Sequence, residues 1–234
     1  MTMAVLEAHD VHKTYIGGDG NILHVLNGVN LAVQRGEMIA IVGASGAGKS
    51  TLMHVLGALD EPSRGYVVIG GEPVQGRNET QLGELRNRTV GFVFQFHHLL
   101  REFSALENVM MPMRIAGRSE SAAHSRAAEL LARVGLSARM THRPAELSGG
   151  EQQRTAVARA LAMDPQVVLA DEPSGNLDRS NGEMLHELLT EVVNDLEIGM
   201  VVVTHNRSLA ARANRVLLLE GGRLSEAAVD EVVV

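Results

Sequence analysis

The sequence predicts an α/β fold: a parallel sheet with helices, an antiparallel β part near the N-terminus, and a helical subdomain inserted in the middle. Three observations predict it. From Val167 onward, short apolar runs alternate with a long helical pattern, the order that βα units produce. The first forty residues instead carry apolar runs separated by turn residues, Tyr15-Ile-Gly-Gly-Asp-Gly-Asn21 and Arg35-Gly36, as antiparallel strands do. Between 96 and 162, Ala, Leu, Arg and Glu dominate, and most of these are strong helix formers.

Each element has its own justification. The antiparallel part is expected near residues 1–40. Met38–Val42 is a continuous apolar run, as a strand buried on both faces should be. A helix is expected over 50–59. In the middle segment, Glu129-Leu-Leu-Ala-Arg-Val134 sets Leu130, Leu131 and Val134 on one helical face. Strands are expected at Val167–Asp171, 200–204 and 215–219, with a helix over Arg179–Leu196. The whole chain then reads as one domain: 1–95 with 163–234 as the core, and 96–162 as the helical subdomain.

Composition narrows the function classes. A hydrophobic content of 45% with 21% charged residues excludes a disordered or collagen-like chain. The 21 basic and 28 acidic residues give a net charge of −7, which argues against non-specific nucleic-acid binding. With no cysteine, a disulfide framework, a thiolate zinc site and a cysteine nucleophile are all excluded. No apolar run approaches the ~20 residues of a membrane-spanning helix, and the N-terminus lacks the layout of a secretory signal. An intracellular protein is expected, held at any membrane by other chains.

Gly43-Ala-Ser-Gly-Ala-Gly-Lys49-Ser50 fits G-x-x-x-x-G-K-[ST], and it lies after a buried strand and before a helix, where that loop works. Its three glycines let backbone N–H groups turn inward around a phosphate, with the helix N-terminus adding positive potential. Lys49 suits the β/γ oxygens and Ser50 suits Mg²⁺. Val167-Val-Leu-Ala-Asp171-Glu172 ends an apolar strand in two carboxylates, and chemistry in a parallel sheet gathers at such ends. Asp171 suits the Mg²⁺ shell, and Glu172 suits a base for the attacking water. Together these define a P-loop nucleotide triphosphatase core.

Leu147-Ser-Gly-Gly-Glu-Gln-Gln-Arg154 adds a second anion element. Ser148 and Glu151 make a capping box, but that does not explain Gly149 and Gly150. Two glycines in a first turn cost about 1 kcal/mol each unless the backbone must approach something closely. A capped helix start with bare N–H groups can receive a second phosphate.

These segments resemble the ATP-binding-cassette ATPases, whose motifs occur here in order over residues 5–222. Leu147-Ser-Gly-Gly-Glu151 is similar to that family's signature. The resemblance implies that Tyr15 stacks on adenine, and that Gly43, Ala44, Ser45, Gly46, Ala47, Gly48, Lys49, Ser50 and Thr51 surround the phosphates of ATP. Gln95 then joins Ser50 and Asp171 around Mg²⁺, Glu172 catalyses with Lys49, and His205 reads the γ-phosphate. It further implies a head-to-tail pair of copies, each ATP held between one chain's 43–50 loop and the partner's Ser148, Gly149 and Gly150. Asp178, in Ser174-Gly-Asn-Leu-Asp178, belongs to the same composite site.

All four phenylalanines, Phe92, Phe94, Phe96 and Phe103, fall within twelve residues. The first three alternate at strand spacing, so some belong to the core. Phe96, Leu99, Leu100 and Phe103 form either a docking patch for a partner helix or an internal hinge core. The stretch from Gln95 to Val109, with Met111-Pro-Met113, is similar to the ATPases of lipoprotein-releasing transporters and to the macrolide-export and division-associated cassettes. Phe96-His-His-Leu-Leu100 and Phe103-Ser-Ala-Leu-Glu107 favour lipoprotein release. Arg101 stands where that pattern commonly has proline, which bears on the local turn. The resemblance thus implies a transport motor on the cytoplasmic face of a bacterial inner membrane, docked to permease subunits near Gln95–Phe103. The rivals are an export ATPase and a regulatory cassette controlling a periplasmic hydrolase. No other histidine has metal-ligand spacing, and His9, His12, His97 and His98 are expected at the surface. Met side chains are expected to pack, and Glu226, Asp230 and Glu231 to be a solvated end.

Overall fold

The structure, a computed structural model, describes residues 4–18 and 20–229. Residues 1–3, Asp230 and Glu231 lie outside the described residues, whereas Glu226 is exposed at the end of the last strand. The order is β1 (Leu6–Ile16), β2 (Ile22–Val33), β3 (Met38–Val42), α1 (Lys49–Leu56), β4 (Arg64–Ile69), β5 (Glu72–Pro73), α2 (Glu79–Thr89) and β6 (Val90–Phe94). Then come α3 (Ala105–Ile115), α4 (Glu120–Arg133), α5 (Gly149–Ala160), β7 (Val167–Asp171), α6 (Arg179–Leu196), β8 (Gly199–Val203), α7 (Arg207–Ala210), β9 (Arg215–Glu220) and β10 (Arg223–Glu226).

Two sheets form. The first, β2-β1-β4-β5, is antiparallel. It draws two of its strands from 64–73, beyond the forty residues where the sequence pattern places the antiparallel part. Gly65 and the Gly70-Gly71 pair mark those strand ends, all three at positive φ. The second sheet runs β10-β9-β3-β8-β7-β6 and is parallel except for the β9–β10 hairpin. Every residue of β3 and β8 is buried, as strands covered on both faces require.

Alternation along those strands builds two cores. Ile39 and Ile41 of β3, with Val201 and Val203 of β8, pack with α1 and the antiparallel sheet. Met38, Ala40 and Val42, with Met200 and Val202, face the helices of the middle segment and α6. One face of the parallel sheet is therefore covered largely by β structure rather than by helices alone. Leu130, Leu131 and Val134 are buried together in the helical core, in line with their spacing. The first helix is shorter than its pattern, ending at Leu56 with Gly57 as its cap.

Register positions the chemistry. Ile41 pairs with Val203, Val203 with Asp171, and Asp171 with Phe94. These four residues lie level across β3, β8, β7 and β6. One or two residues past that line come the 43–50 loop, His205, Glu172 and Gln95. All of them emerge from one carboxyl edge of the sheet, where open α/β sheets bind ligands.

Candidate active site

The 43–50 loop leaves β3 and closes on α1. Gly48 is the N-cap of α1 at φ 99°, and a Cβ there would fall 2.8 Å from Val25 Cγ1. Only glycine meets both demands. Lys49 Nζ donates to the carbonyls of Gly43 at 2.8 Å and Ala44 at 3.0 Å, so the ammonium lies inside the curve of the loop. Ser50 Oγ donates to Asp171 Oδ2 at 3.2 Å. Burial pushes the Asp171 carboxyl above its ordinary range, Glu172 adds to the rise, and the Ser50 hydroxyl opposes it. A cation beside Asp171 would relieve that penalty. The hydroxyl, carboxylate and amide offered by Ser50, Asp171 and Gln95 are hard oxygen donors, the set Mg²⁺ prefers.

Glu172 is held at φ 45°, a left-handed conformation that costs a non-glycine residue about 1–3 kcal/mol. Its backbone N–H bonds Val203 O at 2.9 Å, which ties the turn to β8. His205 Nδ1 lies 2.8 Å from Glu172 Oε1, and the His205 backbone N–H donates to Oε2 at 3.3 Å. Both carboxylate oxygens are thus engaged by one residue, and the imidazole itself remains exposed. Gln95 and Asn176 exchange bonds: the Gln95 amide donates to Asn176 Oδ1 and the Asn176 amide to Gln95 O, each at 3.2 Å. Tyr15, near the end of β1, is partly exposed and donates its hydroxyl to Asp60 Oδ2 at 2.8 Å.

The signature segment opens α5 and lies against the start of α6. Ser148 caps α5, and its capping box with Glu151 is complete. The Ser148 backbone N–H is the main cause holding the Glu151 carboxyl below its usual range. Ser148 and Gly149 are exposed, but Gly150 is buried. A Cβ at Gly150 would fall 2.4 Å from Asn181 Oδ1, so the close approach that excludes a side chain there is to α6 of the same chain. Asp178 caps α6, accepting from Asn181 N at 3.0 Å and Asn181 Nδ2 at 2.6 Å. Asn181, which no motif singled out, therefore knits the two helix starts together.

The hydrophobic segment after Gln95 divides. Phe96, Leu100 and Phe103 are exposed. Leu99 is buried at 7% exposure, so it leaves the docking patch and joins the interior. Adjacent leucines face opposite ways because the turn is pinned by Asn108, itself fully buried. Asn108 accepts from Leu100 N and donates to the carbonyls of Leu100, Phe103 and Ser104 at 2.8–3.1 Å. That turn forms with Arg101 in place of proline. From α5, Gln153 donates to Phe94 O at 2.9 Å, and Arg159 to His97 O and His98 O at 2.7 and 2.8 Å. Beside this segment runs a groove of about 370 Å³ lined by Leu59, Phe92, Phe94, Ile115 and Met163, with Arg86 and Arg159. Among the described residues no cluster could hold a metal through His, Asp and Glu alone, and no helix is long and apolar enough to cross a membrane.

A phosphate loop, an acidic strand end and a histidine turn side by side on a parallel sheet define a nucleotide triphosphatase of the cassette type. The family model for the ABC transporter matches residues 26–175, and the chain belongs to that family as its ATP-hydrolysing domain. It is 53% identical over 225 residues to the lipoprotein-releasing system ATP-binding protein LolD of Myxococcus xanthus, covering 96% of this chain and 100% of that protein. The LolD protein of Bordetella pertussis is also 53% identical, over 223 residues, covering 95% of this chain and 96% of its own. Among solved structures, the dimeric post-hydrolysis state of the cassette MJ0796 bound to ADP and Pi has a TM-score of 0.87 at 37% identity. That alignment covers 96% of this chain and 98% of the other.

Proposed function

We propose that this chain is the motor subunit of a lipoprotein-releasing transporter, working at the cytoplasmic face of a bacterial inner membrane through permease partners. The observation that carries the catalytic part is the shared carboxyl edge, with Ser50 on Asp171 and His205 on Glu172. The cargo class rests on the LolD relatives, more than half identical over nearly the whole chain.

In this reading Tyr15 stacks on adenine, and residues 43–51 wrap the triphosphate. Lys49 exchanges its two carbonyl contacts for phosphate oxygens, a charge-assisted replacement. Ser50, Gln95 and Asp171 hold Mg²⁺, which when bound neutralises phosphate charge. Glu172 takes a proton from the attacking water, and His205 keeps that carboxylate aimed while its exposed ring meets the γ-phosphate. Ser148, Gly149 and Gly150 of a second copy, docked head to tail, close over the same phosphate. Asp178 stays a helix cap whose loop lies in that interface. The core of 1–95 with 163–234 binds nucleotide, and 96–162 swings as the helical subdomain. Co-reconstitution with permease subunits in proteoliposomes tests the reading: ATP-dependent release of a lipoprotein is expected, and its absence despite ATPase activity rejects the cargo class.

The permease is proposed to seat on Phe96, Leu100 and Phe103 and on the adjoining groove. Replacing Phe96 and Leu100 by serine is expected to leave the stability within about ±0.5 kcal/mol, as exposed substitutions do. The same double variant should lose co-purification with the permease and keep basal hydrolysis. Leu99→Ala provides the contrast, with an expected loss of about 2–5 kcal/mol. Retained association in the serine variant would move the docking surface elsewhere.

A further inference from the structure

The contacts around Tyr15 go beyond a ring offered for stacking. Asp60 receives the Tyr15 hydroxyl on Oδ2 at 2.8 Å. Its other oxygen takes the Lys13 ammonium at 2.6 Å and the Glu61 backbone N–H at 2.8 Å. Lys13 also donates to Glu61 O at 2.6 Å, is 8% exposed, and lies 5.0 Å from the centre of the Tyr15 ring. Burial opposes ionisation of Asp60, but the Lys13 ammonium and the Tyr15 hydroxyl outweigh it and hold the carboxyl below its usual range. Burial and then Asp60 push the Tyr15 hydroxyl up, so it stays protonated and donates.

The placement of Asp60 gives these bonds a consequence. The backbone N–H groups of Leu59 and Asp60 both bond His54 O, at 2.8 and 3.3 Å. Asp60 is therefore a fixed continuation of α1, the helix whose first residues are Lys49 and Ser50. The carboxylate ties an aromatic ring on β1 to the far end of the helix that starts at the phosphates. An unanchored tyrosine ring would turn about its side-chain torsions, and a ligand stacking on it would have to freeze that motion.

We propose that Asp60, bonded by Lys13 and the Glu61 backbone, is a positioning residue that sets the Tyr15 ring at a fixed distance and pitch from the phosphate loop. The proposal rests on the reading of Tyr15 as the adenine platform. It concerns the base half of the ligand: neither Asp60 nor Lys13 bonds residues of the 43–50 loop in the contacts above, and the other side-chain partner of the Tyr15 hydroxyl is Thr51, in the first turn of α1.

Calorimetric binding of ADP and of inorganic pyrophosphate to the full-length protein separates the possibilities. Tyr15→Phe removes one oxygen and keeps the ring, so folding is not at issue. It is expected to weaken ADP about 3–10-fold and leave pyrophosphate unchanged. Asp60→Ala should do the same, and the double variant should add little to either. If Tyr15→Phe binds ADP like the wild type while Tyr15→Ala is weakened, stacking stands and the role of Asp60 is overturned. If Tyr15→Ala itself binds ADP normally, the adenine platform is wrong. Equal weakening of ADP and pyrophosphate by Tyr15→Phe would also overturn the proposal, because the clamp would then shape the phosphate loop instead.

Discussion

Glu172→Gln is expected to lower ATP turnover by about 10²–10⁴-fold, the usual contribution of a positioned general base, while ATP remains bound. The amide keeps the size of the carboxylate and can still accept from His205 Nδ1, now 2.8 Å away. It cannot take a proton from water. Lys49, Ser50 and Tyr15 are untouched, so binding persists. If hydrolysis is what reopens the paired copies, the variant should accumulate as an ATP-bound dimer on sizing chromatography with Mg-ATP. Turnover near the wild-type rate would remove Glu172 from the chemistry. A monomeric elution with ATP bound would detach hydrolysis from reopening.

Ser148→Arg should have a comparable effect by another route. Ser148 is exposed and its hydroxyl caps α5, so the substitution costs about 1 kcal/mol of capping and projects bulk toward the partner. Monomer affinity for ATP is expected within about two-fold of wild type, with hydrolysis reduced about 10²-fold or more, as loss of a transition-state donor does. Gly150→Asp would confuse the result, because its side chain must displace Asn181 and with it the cap partner of Asp178. A mixing experiment sharpens the test. Lys49→Ala and Ser148→Arg chains, each inactive alone, should regain hydrolysis when combined, since one head-to-tail site in the mixed pair is intact. No recovery, or ATP binding lost in proportion to activity, would mean both anion elements serve one pocket within one chain.

The parallel sheet was legible because its central strands are short, largely apolar and bounded by turns: Val167–Asp171 and the run ending at Val203 lie where their composition puts them. The positions of the phosphate loop, the two carboxylates, Gln95 and His205 were legible too, since each lies at or within two residues of the end of a strand. Contacts between distant segments were not. Asp60 lies 45 residues from the Tyr15 hydroxyl that it receives, and no local pattern announces the pair. Leu99 and Leu100 are equally apolar, and only the turn around Asn108 decides which of them turns inward. The glycine pair after Ser148 announced a close approach, and at Gly150 the intrachain neighbour is Asn181, 31 residues away and marked by no local pattern.

The contact between Gly150 and Asn181 leaves α5 no clearance against α6. At its opposite end and along its side, α5 grips the end of β6 and the chain beyond it through Gln153 and Arg159. Its 12 residues span about 18 Å. A rod seated at both ends leaves little room for slip between the chain at His97 and His98 and the turn ending at Asp178. One methyl group added at position 150 would have no room beside Asn181 and would wedge α5 away from α6, unseating that end of the rod.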